Sequence, residues 1–480
     1  MSAERVSTGV DGLDDVLDGG LIAGRSYMIR GPPGTGKTIL GLQFLTADPD
    51  AATLCVNFEE TTENIEQNAE SLGIDVSDVN FLDLSPDSDV FTQAQSYDVF
   101  APDEVEADGV TERITEAVDR HDPDRVLVDP VTQFRHFSPD DYQFRKEVAS
   151  FVSYLREQGA TVLFSTQPTE ADPDDDLQFI CDGTISLGYA EKGRVVEVPK
   201  FRGSDFQRGE HTVEISDGGL TVSPILRPQR HETAFEAETL SSGVDGLDTM
   251  LHGGIERGAV TVVSGSSGVG KTTTGAAFMT EAARRDERSV IYLFEESLDT
   301  FVHRCREIDM PVDEMRGEGT LQVEEREPLQ QSADQFAASV RREVEEEGAD
   351  VVMIDGISGY RLSIRGDEDE LVRELHSLCR YCKNMGVTVI ITDDVQGVTG
   401  EFQPTSARIS YLADNILFLR YLELHGELRK AAGVLKKRAS DFERTLREFR
   451  ITEAGVKVDE PLNGLRGILT GTPELARDGE

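Results

Sequence analysis

The chain of 480 residues contains no tryptophan, only five cysteines, and ten lysines among its 47 cationic residues. Five cysteines over this length cannot form the framework that staples a small secreted domain, and they point to a reducing compartment. No run approaches the roughly eighteen apolar residues of a membrane-spanning helix. The opening Met1-Ser2-Ala3-Glu4-Arg5 has no apolar segment of signal type, so a cytoplasmic location with no membrane partner is expected. Positive charge is scarce too: the net charge is −44. A protein that grips a nucleic-acid backbone needs cationic surface to release counterions. Nucleic acid is therefore not an expected partner, and a nucleic-acid-handling protein of recombinase or helicase type is kept only as the alternative.

What the chain has in excess is acid, with 91 Asp and Glu. Molar salt shortens the Debye length to roughly 3 Å and screens such a surface. The even spread of acid, with arginine supplying 37 of the 47 cations, is the expectation for a salt-adapted protein. His376, Cys379 and Cys382 recur at three-residue spacing beside Leu371, Leu375 and Leu378. Without a fourth ligand nearby they read as one buried helix face, not a zinc site.

Phosphate chemistry is written twice. Gly31-Pro32-Pro33-Gly34-Thr35-Gly36-Lys37-Thr38 and Gly265-Ser266-Ser267-Gly268-Val269-Gly270-Lys271-Thr272 both fit the phosphate-loop pattern. Glycines let the backbone wrap until several N–H groups face one anion, and the following helix adds its positive end. Lys37 and Lys271 are expected between the outer phosphates of ATP, and Thr38 and Thr272 on Mg²⁺. A buried strand at 26–30 and a helix at 39–45 give the first loop its required context.

The second loop belongs to a duplication of the whole chain. A spacing of 234 residues separates Gly9 from Gly243 and Lys37 from Lys271. Ser7-Thr-Gly-Val-Asp-Gly-Leu-Asp14 answers to Ser241-Ser-Gly-Val-Asp-Gly-Leu-Asp248. The segments ending in Asp129 and Asp355 correspond, as do 161–167 and 388–394, and 198–204 and 434–440. Apolar runs alternate with amphipathic stretches in each half, which implies an α/β fold: a mainly parallel sheet flanked by helices on both faces. Alternating strands late in each half (183–188 with 194–200, 415–424 with 428–436) suggest an antiparallel edge extension. Domains are expected at 1–231 and 232–460, with a loosely ordered tail at 461–480.

Other residues recur with the loops. Asp129 and Asp355 each close an apolar strand, where a carboxylate beside a phosphate loop can hold Mg²⁺. The doublets Glu59-Glu60 and Glu295-Glu296 could supply a general base for the attacking water and a second carboxylate to orient it. Lys200 with Arg202, and Lys436 with Arg438, alternate on a late strand far from their own loop. In a ring they could reach the nucleotide of the neighbouring subunit and neutralise developing charge.

Two tandem halves with this joint spacing resemble the KaiC family of RecA-like ATPases over roughly residues 4–457. The resemblance implies two RecA-like domains, a double-ring homo-hexamer with ATP at subunit interfaces, the Lys/Arg pair acting in trans, and a signalling partner of unknown identity. In the circadian member the second domain phosphorylates an adjacent Ser-Thr pair. The matching segment here carries Ser410 and Tyr411, so the serine is retained and the threonine is not. The resulting expectation is an Mg-dependent ATPase with two sites, with serine autokinase activity at Ser410 left open. A scaffold whose nucleotide only sets shape is a third reading.

Overall fold

The computed structural model describes residues 4–86, 102–136, 138, 140–168, 174–191, 193–226, 238–363, 368–395, 405, 409–424, 426–463, 465–466, 468 and 474–475. Two compact units divide the chain, residues 1–225 and 226–480. The stretch around the expected boundary at 231–232, residues 227–237, lies outside the described residues.

In the first unit the elements around the sheet are β1 (Ser26–Arg30), α1 (Lys37–Thr46), β2 (Thr53–Asn57), α2 (Thr62–Ser71), β3 (Asn80–Asp83), β4 (Arg125–Asp129), α3 (Asp141–Glu157) and β5 (Thr161–Thr166). Four further strands follow: β6 (Gly183–Ala190), β7 (Gly193–Phe201), β8 (His211–Ser216) and β9 (Gly219–Ser223). The nine strands lie in the order β3-β2-β4-β5-β1-β6-β7-β8-β9. Pairing is parallel from β3 to β6 and antiparallel from β6 to β9.

The second unit repeats this plan. It contains β10 (Val260–Gly265), α4 (Lys271–Arg284), β11 (Ser289–Leu293), α5 (Leu298–Glu307), β12 (Leu321–Glu325), β13 (Val351–Asp355) and β14 (Thr388–Asp394). The antiparallel part is β15 (Asn415–Leu424), β16 (Glu427–Lys437), β17 (Arg447–Thr452) and β18 (Gly455–Pro461). The order is β12-β11-β13-β14-β10-β15-β16-β17-β18. Both units are therefore mainly parallel, helix-flanked sheets of RecA-like type. The antiparallel extension is longer than the alternation suggested, because β8–β9 and β17–β18 are short and polar enough to be missed. In the tail, residues 465–466 pair with 474–475, and most of the remainder lies outside the described residues.

The sheet cores explain the apolar runs. Along β2 and β4, Cys55 and Leu127 join one cluster, whereas Leu54, Val56, Val126 and Val128 join the other. Each strand is thus covered on both faces, as a parallel sheet requires. Helix α3 buries Phe144, Val148, Val152 and Leu155 along one stripe. Cys379 and Cys382 are buried with Leu371, Leu375 and Leu378 in the second unit's core.

The repeated Gly-Val-Asp-Gly-Leu-Asp motif proves structural. Asp14 Oδ1 accepts from the Thr8 backbone N–H at 2.8 Å and the Thr8 hydroxyl at 2.6 Å; Asp248 repeats this on Ser242. Gly12 sits so close to the last strand that a Cβ would lie 1.9 Å from the Val222 carbonyl oxygen.

Candidate functional site

The first phosphate loop joins β1 to α1. Gly34 and Gly36 adopt φ of +78° and +100°, the left-handed region that side chains resist. Gly36 caps α1, so the loop amides and the helix start face the same space. Lys37 folds back over the loop and donates to the Gly31 and Pro32 carbonyls at 2.9 and 3.1 Å. Burial lowers its pKa, and Asp129 and Glu59 act against that shift.

Thr38 Oγ1 donates to Asp129 Oδ2 at 2.6 Å, bringing the first turn of α1 to the carboxyl end of β4. Ser165 Oγ donates to the other Asp129 oxygen. A hydroxyl and a carboxylate set together beside a phosphate loop are the hard oxygen donors that Mg²⁺ takes, so the residues fit that ion.

Glu59 leaves β2 toward the same space. Its two oxygens accept from Gln133 Nε2 at 2.9 Å and Gln167 Nε2 at 3.3 Å. Glu60 is held differently, its carboxylate on Asn68 at 3.3 Å and its carbonyl on Asn57 at 2.7 Å. The next residue, Thr61, caps α2. Lys37, Thr38, Glu59, Glu60, Asp129 and Gln167 line one cavity of about 530 Å³, within the usual range for small-molecule sites. Its far wall is apolar, with Ile39, Leu42, Ile65, Leu72, Ile74 and Ile215. Motif reading did not find that wall, because it is assembled from α1, α2 and β8.

The second unit keeps the plan and changes a detail. Asp355 is buried, accepts from Thr392 Oγ1 at 2.8 Å and is also hydrogen-bonded by Thr272. Burial pushes its carboxyl up to about 6. Glu295 enters the site and accepts from the Gly359 N–H at 3.3 Å. Gly356, at φ +92°, makes room for it, since a Cβ there would lie 2.6 Å from Glu295 Cγ. Glu296 turns away to Arg304, with N–O distances of 2.6 and 2.9 Å. Burial, with Asp394 as the next cause, pushes Glu295 up to about 7. Lys271 Nζ meets the Ser266 carbonyl at 3.2 Å and Asp394 Oδ1 at 2.5 Å. Asp394 was not singled out from sequence, although its alignment with Gln167 in the repeat was the available signal.

The late-strand cations lie apart from their own loops. Lys200 Nζ donates to the Gln178 carbonyl and, at 2.6 Å, to the Cys181 carbonyl. Lys436 Nζ donates to the Ser410 carbonyl at 2.8 Å. Arg438 bonds the Tyr411 carbonyl at 2.8 Å and Asp414 at 3.3 Å. Arg202 and Arg438 fall just beyond β7 and β16, so each Lys/Arg pair spans a strand end and does not alternate along it. Lys437, the neighbour of Lys436, is buried on Glu256 at 3.3 Å and on the Leu251 carbonyl.

Fold and site together define a chain with two tandem P-loop ATPase domains. A family model described as the KaiC ATPase matches residues 6–227 and again 240–463. The chain belongs to the KaiC ATPase family. It is 28% identical to the circadian clock oscillator protein KaiC of Synechococcus elongatus, over 98% of this chain and 92% of that protein. A protein of the same name from Prochlorococcus marinus is 29% identical, over 98% and 96%. The circadian clock protein KaiC3 of Synechocystis is 28% identical, over 99% and 96%. None of the described helices is long and apolar enough to cross a membrane.

Proposed function

We propose that each unit binds Mg-ATP and hydrolyses it, and that the chain works as a nucleotide-driven regulator in the cytoplasm. One observation carries the reading: Lys37, Thr38, Glu59 and Asp129 converge on one cavity whose floor is a phosphate loop. The loop amides and Lys37 hold the phosphates, and the apolar wall takes the base. Thr38 and Asp129, with Thr272 and Asp355 in the second unit, would hold Mg²⁺, which when bound screens phosphate charge and orients the terminal phosphoryl group. Glu59 and Glu295 orient the attacking water and accept its proton. Glu60 and Glu296 brace that arrangement through Asn68 and Arg304.

The trans role of Lys200, Arg202, Lys436 and Arg438 is part of the same proposal. Lys200, Lys436 and Arg438 rest mostly on backbone carbonyls, which give up a cation to a neighbour's phosphate at modest cost. That trans role needs a ring of subunits, which likeness to the KaiC family makes a homo-hexamer. Ser410 is the acceptor in a proposed autokinase step: its Oγ attacks the terminal phosphorus, the bond to the ADP oxygen breaks, and the hydroxyl proton passes to a carboxylate. Adaptation to concentrated salt accounts for the net charge of −44. The test is phosphate release from ATP by the purified chain, with Mg²⁺ and with a chelator. Release that requires the ion supports the proposal, and no release under either condition overturns it.

A further inference from the structure

The two loops differ in what their lysine touches. In the first unit the residue just beyond β5 is Gln167, a neutral amide bonded to Glu59, while Lys37 rests on two loop carbonyls. Strand registers make Asp394 the counterpart: Arg30 pairs with Thr166, and Ser264 pairs with Asp393. One residue on, the neutral amide has become a carboxylate. It meets Lys271 at 2.5 Å, with the lysine side chain 8% and the aspartate 26% exposed. Asp394 also shares a hydrogen bond with Glu295.

We propose that Asp394 is a specificity-determining residue that sets the second site against nucleoside triphosphate relative to diphosphate. The inference rests on reading both loops as nucleotide sites. Carbonyls compete weakly for an ammonium, so an incoming phosphate takes Lys37 readily. Lys271 must instead be drawn from a formal counter-charge in a half-buried setting, where ion pairs are poorly screened. Once displaced, Asp394 stands with Glu295 and Asp355 as negative charge around a phosphate chain. A triphosphate brings its terminal charge to the lysine, which serves the β- and γ-phosphates. A diphosphate ends one phosphate earlier and carries less charge into the cluster. Both sites take ATP, but the second prefers triphosphate over diphosphate less than the first does.

The test silences the first loop with Lys37→Ala and compares Asp394 with Asp394→Gln, which copies the first unit. Dissociation constants for ADP and for the slowly hydrolysed ATPγS are read by displacement of a fluorescent ADP. The ratio of the ATPγS constant to the ADP constant should fall by about tenfold or more, the scale of relieving a close like-charge contact. The reciprocal Gln167→Asp, in a Lys271→Ala chain, should raise the ratio at the first site, and it decides the matter should Asp394→Gln fail to fold by circular dichroism. An unchanged ratio in folded variants that still bind ADP would overturn the inference alone. A Lys37→Ala chain that binds no nucleotide would overturn the second-site reading beneath it as well.

Discussion

Replacing the loop lysines separates binding chemistry from folding. Lys37 spans from the first turn of α1 back to the Gly31 and Pro32 carbonyls. Lys37→Ala leaves those carbonyls facing an open cavity where water can satisfy them, so stability should fall by about 1 kcal/mol. For a unit of this size that is a melting shift of about 2–4 °C. Catalysis loses far more, because the ammonium is the fixed positive charge at the outer phosphates. Removing one such preorganised donor costs on the order of 10²–10³-fold in rate. Phosphate release should then keep only the second site's share in Lys37→Ala, only the first site's share in Lys271→Ala, and nothing in the double variant. The assay is steady-state phosphate release with melting curves on the same preparations, in dilute and in concentrated salt. A folded double variant that keeps more than about a tenth of the wild-type rate would refute the assignment.

Three further outcomes are expected. With ATP and Mg²⁺ the chain should appear as a hexamer by native mass spectrometry, and a persistent monomer would remove the trans role of Lys436 and Arg438. Lys437→Met should destabilise the second unit by about 3–5 kcal/mol, because it strands the buried Glu256; thermal melts should show this, whereas Lys436→Ala next to it should slow turnover with little change in melting. Glu295 and Asp355 have folded pKa values raised to about 7 and about 6, above their ordinary 4.5 and 3.8. The nucleotide-free protein should therefore lose stability as pH rises through these values, and Glu295→Gln should flatten that loss and melt higher than wild type above about pH 7. Parallel melting curves across that range would contradict the burial assigned to Glu295.

The phosphate loops were legible because the chemistry of an anion cradle constrains backbone and residue type together, and duplication doubled the signal. Asp129 and Asp355 were legible for the same reason, each closing an apolar strand. Which member of each Glu doublet enters the site was not, since adjacency says nothing of direction. It is set by the helix cap at Thr61 or Ser297 and by the pull of Asn68 or Arg304 on the second carboxylate. Lys437 faces the opposite way from its neighbour Lys436, because successive strand residues point to opposite faces of the sheet, and it is buried on Glu256. Asp394 was hidden because no motif demands a residue type there, and the repeat itself differs at that position. The apolar wall of the first cavity belongs to three separate segments and exists only once they are folded together.

The central claim is that one chain carries two nucleotide sites, each built on its own lysine. Equilibrium dialysis of Mg-ATPγS against the purified chain counts them directly. The expected stoichiometry is two per chain for wild type, one for either lysine variant and none for both together. A count that does not change when Lys37 and Lys271 are replaced would contradict it.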